Sequence, residues 1–344
     1  TVVSHGRIST EEVIMPFIAD HEKIILMDIP HRGGQYLTVR ELKMLKKAGI
    51  ETAIYFSLSW GKYEPSPGSF NSDYFLDILD RYENAGMKVI LPLWNTHSSH
   101  LSPAWYCAMP NGTLPKRGFD REYIISPFSV EGQAYSNQVM ERVVQAYSSE
   151  RVMFIASGMR DGESIMPPDP LYHGVDALAD WRRNHKGTPD HQRQETLDWM
   201  RDAYTRMLVD RQKALATEEL WFAWHLRKAP LSPLYGVQWA ADYMAALQDM
   251  TNGFTNPHNI NHITYSYFPF NDMPGRIAEF SRTWGTNEWV GAEYVEGIRA
   301  GNAQRAKDAG LRGLILAPCH PYTQHTTIEN WMLPEIEKAM VTLS

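Results

Sequence analysis

The 344-residue chain is poor in the features that mark several large functional classes. Its two cysteines, Cys107 and Cys319, show no Cys-x-x-Cys spacing, so neither a disulfide framework nor a thiolate zinc site is expected. No apolar run approaches the roughly 18 residues that a membrane-crossing helix requires, so no membrane span is expected. Positive charge is also short: 33 Lys and Arg against 40 Asp and Glu leave a formal net charge of −7, which argues against a nucleic-acid partner. There is no phosphate-cradling Gly-rich loop, no Gly-x-Ser-x-Gly elbow and no internal repeat, so nucleotide, serine-hydrolase and solenoid readings lose support. What the chain does have is apolar bulk, 43% hydrophobic and 12% aromatic, enough for a large core.

That bulk is distributed in short β-prone runs. They cover 23–28, 51–57, 88–93, 152–157, 220–225, 262–267, 289–294 and 311–317. Near-continuous apolar character suits parallel strands covered on both faces. Helix-patterned stretches lie between them: Thr38 to Lys47 with Thr38 as N-cap and a stop at Ala48-Gly49, and Ser72 to Asn84 with a stop at Gly86. The same grammar recurs over 129–147, 195–215, 239–250, 273–284 and 301–310. Eight alternations predict an α/β fold of the (β/α)8 TIM-barrel type, taken as one domain over residues 1–344. A doubly wound sheet is the rival and more often carries fewer strands.

Helix-to-strand links are short, whereas the strand-to-helix stretches Trp94 to Pro127 and Gly158 to Arg193, after strands three and four, are long. Long loops confined to one face are where barrels keep their sites. The strongest local pattern follows strand two: Trp60-Gly61-Lys62-Tyr63-Glu64-Pro65-Ser66-Pro67-Gly68-Ser69-Phe70. Pro65, Pro67 and Gly68 predict a rigid turn over the rim, with Phe70 plugging the top of the next helix. Together with Gly86-Met87-Lys88-Val89-Ile90-Leu91 and Pro103-Ala104-Trp105, this segment resembles clan A of the glycoside hydrolases, family 42 β-galactosidases and family 5 enzymes among them.

That resemblance implies a glycosidase with catalytic carboxyls after strands four and seven. Acetal hydrolysis requires one protonated carboxyl to assist the leaving oxygen and one ionised carboxyl to attack carbon or activate water. Strand four runs into Gly158-Met159-Arg160-Asp161-Gly162-Glu163, which makes Glu163 the acid/base, with Asp161 as runner-up. Most clan members have Asn before this Glu; Gly162 makes the segment look more like that of β-amylases. On strand seven, if Val290, Ala292 and Tyr294 face the helices, then Trp289, Gly291 and Glu293 face inward, and Glu293 is the nucleophile expected of the clan. The clan implies retention; an inverting path is the alternative.

Aromatic rings at or near strand ends suit the apolar faces of a sugar: Trp60, Trp94, Trp105, Trp224 and Tyr267. Polar groups in the same zone are candidates for hydroxyl binding: Asp28, His31, Arg32, Asn95, His97, His225 and His320. Arg32, Arg117, Arg121, Arg160, Arg227 and Lys228 fall in strand-to-helix loops and raise the hypothesis of an anionic glycan. The expected partner is an oligo- or polysaccharide, with no cofactor and no metal. A metal-dependent barrel hydrolase needs a His-x-His pair on strand one and an acid after strand eight, and the chain offers Asp28-Ile29-Pro30-His31 and Pro318-Cys319-His320 instead. A sugar-binding barrel without catalysis is the remaining rival.

Overall fold

The computed structural model describes residues 17–28, 36–55, 58–93, 96–97, 100–114, 116–117, 122–155, 173–190, 193–215, 221–225, 261–265, 289–292, 301–308, 310–311, 313–316 and 328–344. In chain order these form β1 (Ile24–Asp28), α1 (Val39–Lys47), β2 (Thr52–Tyr55), α2 (Trp60–Tyr63), α3 (Ser72–Ala85), β3 (Lys88–Pro92), β4 (Thr96–His97), a 3-10 turn (Pro103–Trp105), β5 (Lys116–Arg117) and β6 (Glu122–Ile124). They continue with α4 (Val130–Tyr147), β7 (Val152–Ile155), α5 (Val175–Asn184), α6 (Gln194–Leu215), β8 (Trp221–His225), β9 (Asn261–Tyr265), β10 (Trp289–Ala292), α7 (Asn302–Asp308), β11 (Gly313–Leu316) and α8 (Leu333–Leu343).

Local chemistry accounts for the helix boundaries. At the start of α1, the Thr38 hydroxyl accepts from the Glu41 backbone N–H, while the Glu41 carboxylate accepts from the Thr38 N–H, a capping box that satisfies two otherwise orphaned donors. The chain leaves α3 through Gly86 at φ 70°, a left-handed conformation that costs glycine little. Apolar residues of α3 recur at helical spacing, so Phe75, Ile78, Tyr82 and Ala85 are buried on one face.

Eight strands form one parallel sheet in the order β10-β11-β1-β2-β3-β7-β8-β9, and β9 and β10 at its two ends lie against each other. Successive barrel strands are spatial neighbours and the order never reverses, which is the arrangement of a (β/α)8 barrel rather than of a doubly wound sheet. All eight sequence runs contribute a strand. Register divides the sheet into two rows. Ile24, Leu26, Ala53, Tyr55, Val89, Leu91, Leu314 and Leu316 join the helix-covered core. The alternate row holds Ile25, Ile54, Ile90 and Ile315, all buried and facing the barrel interior.

The two long strand-to-helix stretches carry structure of their own. Within 94–127, β4, β6 and β5 make a small antiparallel sheet. Within 158–193 lies α5, which buries Ala177 and Trp181. Strands of two or three residues show no readable period, and α5 hides in a stretch dense in Pro, Gly and His. The C-terminal α8, also unforeseen, buries Ile336, Ala339 and Leu343. Among the described residues no helix is long and apolar enough to cross a membrane.

Candidate active site

The turn that follows β2 is organised around a single buried carboxylate. Ser59 caps the four-residue α2 by accepting from the Lys62 N–H at 3.2 Å. One turn on, the helical spacing brings Trp60 over Glu64, and the indole N–H donates to Glu64 Oε2 at 2.6 Å. The Gly68 N–H donates to Glu64 Oε1 at 2.6 Å, and the Tyr135 hydroxyl on α4 donates to the same oxygen. Glu64 is fully buried, and burial together with that carboxylate pushes the Tyr135 phenol up to about 12, so it stays a donor. Gly68 sits at φ +77°, which only glycine adopts without strain and which aims its N–H at the carboxylate.

Aromatic rings cover this hub. Tyr135 stacks on Trp60 at 6.1 Å between centroids and meets Trp105 at 5.9 Å. Trp60 is buried, whereas Trp105 is half-buried at the rim and its indole donates to Glu131 at 3.4 Å. Phe70 packs against Tyr63 of α2 at 5.3 Å, with the Arg142 guanidinium of α4 4.3 Å above its ring. Glu122 of β6 is buried too; it accepts from the Ser59 hydroxyl at 2.5 Å and the Gly61 N–H at 3.1 Å. The small antiparallel sheet is thereby tied to the turn.

Asp28 ends β1 in the row that faces the helices, not the barrel interior. It is fully buried: Oδ2 accepts from Arg81 and from the Tyr82 hydroxyl, each at 2.7 Å, and Oδ1 accepts from the Leu37 N–H at 3.4 Å. Burial raises its carboxyl to about 6, because desolvation outweighs the opposing pull of Arg81. Asp28, a sequence candidate for binding a substrate hydroxyl, thus has both carboxylate oxygens engaged inside the protein. Trp60, a sequence candidate for stacking on a sugar, is 1% exposed and holds an internal hydrogen bond to Glu64.

Of the other candidates, Trp105 lies half-buried at the rim, joined to Trp60 through Tyr135. The backbones of His97, Trp224 and His225 lie on β4 and β8, where His225 is in register with Tyr265 and Trp224 with Thr264. Glu163, Glu293, His31, Arg32, Trp94, Asn95, Arg160, Tyr267 and His320 lie outside the described residues, as does Asp161. Three residues with no role assigned from sequence prove central: Glu64, Tyr135 and Arg81. The Trp60–Glu64 spacing signals the first; nothing local signals the other two.

Residues 29–145 match a family model for beta-galactosidases of glycoside hydrolase family 42, which spans the first three barrel strands' loops and the rim turn. The chain is similar to the clan A glycosidase barrels. Superposition on the catalytic domain of a beta-amylase from Paenibacillus polymyxa gives a TM-score of 0.60 at 10% identity, covering 92% of this chain and 99% of that one. A family 42 beta-galactosidase from G. stearothermophilus gives 0.59 at 10% identity over 88% of this chain and 53% of the other. The beta-galactosidase of the haloarchaeon Halorubrum lacusprofundi gives 0.53 at 12% identity over 92% and 57%. The chain thus spans little more than half the length of these beta-galactosidases. No curated protein sequence matches the chain. The family match supports a glycosidase, and the structural neighbours, at 10–12% identity, show the barrel fold.

Proposed function

We propose that residues 1–344 form one catalytic barrel that hydrolyses a β-glycosidic bond with retention, β-galactosides being the first substrates to test. The observation that carries this reading is the rim turn: the Trp60-x-x-x-Glu64-Pro65 segment, built on a buried carboxylate, falls inside the matched 29–145 stretch and at the strand-exit face. Glu163 donates its proton to the leaving glycosidic oxygen while the Glu293 carboxylate attacks the anomeric carbon. Glu163, now ionised, then takes a proton from water, and that water displaces Glu293 from the sugar. Supporting the second assignment, β10 pairs with β11 so that Gly291 partners Ile315, which in turn partners the interior residue Ile25. Trp289 and Gly291 therefore fall in the interior row, the alternation that the sequence gives Glu293.

Trp105 offers an apolar ring for a pyranose face, and the oligo- or polysaccharide partner follows from that chemistry. The anionic-glycan hypothesis rests on loop arginines of which only the backbone of Arg117 is described, and a neutral analogue turned over as fast as its charged parent would remove it. The test of the main reading is a panel of aryl glycosides, with proton NMR of the first-formed product. Glu163→Gln should retain most activity on activated aryl leaving groups and lose it on poor ones, whereas Glu293→Gln should lose both by roughly 1,000-fold or more. Full activity in either variant removes that residue from its role, and a product of inverted configuration replaces the nucleophile with a general base.

A further inference from the structure

The rim network leaves one buried titratable group at the strand-exit face without a role. Asp28 is the last residue of β1, and Leu37 lies two residues ahead of α1. A chain of nine steps reaches roughly 30 Å when extended, yet the Leu37 N–H and Asp28 Oδ1 are 3.4 Å apart. From the helix layer, Arg81 and Tyr82 of α3 take the other carboxylate oxygen. Arg81 is itself caged: its guanidinium carbon lies 4.8 Å from the Tyr36 ring, 5.4 Å from Tyr55 and 4.8 Å from Tyr82. Its Nε makes no hydrogen bond, so one nitrogen and three rings hold it. Tyr36 stacks on Tyr55 at 4.6 Å, which fixes the residue beside Leu37 to β2 as well.

We propose that Asp28 is a positioning residue for substrate binding: it ties the exit of β1 to the chain leading into α1, so both ends of the first strand-to-helix connection are fixed at the mouth of the barrel. The proposal rests on the glycosidase reading above, because that connection carries His31 and Arg32, the sequence candidates for sugar contact. The tie is held by the two carboxylate oxygens, which between them accept from three donors. Among the described residues, Arg81 and Tyr82 of α3, Tyr55 of β2, Glu41 of α1 and Tyr36 ahead of it are the titratable groups around it. With a carboxyl raised to about 6, the tied form binds the Asp28 proton more tightly than an opened form does, so mildly acidic solution favours the tie and rising pH weakens it.

The test has two arms on the whole protein. Backbone amide exchange at Leu37 is measured in wild type, Asp28→Asn and Tyr82→Phe, with Ile54 of β2 as an internal standard; this arm needs no substrate. Both variants should speed exchange at Leu37 at least tenfold relative to Ile54. In the second arm, 4-nitrophenyl β-galactoside turnover is followed from pH 5 to 8. KM should rise several-fold in Tyr82→Phe with kcat within twofold, and wild-type KM should rise as pH rises through about 6 while that of Asp28→Asn stays flat. Unchanged Leu37 exchange in both variants, or a fall in kcat at constant KM, overturns the proposal. Absence of turnover in wild type strikes the glycosidase reading instead, and the exchange arm then decides whether the tie exists.

Discussion

Two buried carboxylates stand at the same end of the barrel and are satisfied in opposite ways. Glu64, in the turn after β2, accepts from neutral donors only among its described hydrogen bonds: the Trp60 indole, the Gly68 N–H and the Tyr135 hydroxyl. Asp28, at the exit of β1, leans on a cation, Arg81, with Tyr82 and Leu37. Two of the three partners of Glu64 lie within four residues of it. The Asp28 partners lie 9, 53 and 54 residues away. A local network is encoded by spacing and survives as a motif; a distant one is assembled only when α3 packs on the sheet.

The comparison breaks most visibly if Glu64 is removed. Glu64→Ala leaves a buried indole N–H, a backbone N–H and a phenol without an acceptor, and should destabilise the fold by about 3–5 kcal/mol, read from urea unfolding. A loss below about 1 kcal/mol would mean the turn is held by its prolines and ring packing alone.

The second prediction concerns pH. The folded-state pKa of Asp28, about 6, lies above its ordinary 3.8, so the folded protein binds that proton more tightly than the unfolded chain does. The group's contribution to stability is therefore full below pH 3.8 and is lost as pH rises through about 6. The difference in unfolding free energy between wild type and Asp28→Asn should then shift by roughly 3 kcal/mol in favour of the variant between pH 4 and pH 7. A pH-independent difference would show that Arg81 compensates burial fully. No such dependence is expected for Tyr135→Phe over the same range.

The smallest effect sharpens the local side of the comparison. Nothing lies within 4 Å of where a Cβ at Gly68 would sit, so the strain of Gly68→Ala comes from φ +77° alone. The cost should be about 1 kcal/mol of thermal stability, with the Trp60 fluorescence environment unchanged. A larger loss, with altered fluorescence, would show that the Gly68 N–H steers the whole turn.

Much of the scaffold was legible because its signals are short-ranged. The Thr38 cap, the stop at Ala48-Gly49 and the stop at Gly86 are where the sequence predicts them. The runs of apolar residues mark every barrel strand, since a strand covered on both faces leaves no polar alternation to confuse it. The site was legible as a motif but not as contacts. Trp60 reads as a sugar platform until the fold buries it, and Asp28 reads as a free strand-end acid until register turns it toward the helices.

By itself, then, the sequence determined the alternation of elements, the barrel class and the rim turn after β2, because caps, turns and burial patterns act between residues a few positions apart. Only the tertiary structure decided which carboxylates are engaged: the pairing of Asp28 with α3 and of Glu64 with α4 joins segments more than fifty residues distant. One residue of register separates the helix-facing row from the interior row, and that choice is made by strand pairing, which no local propensity records.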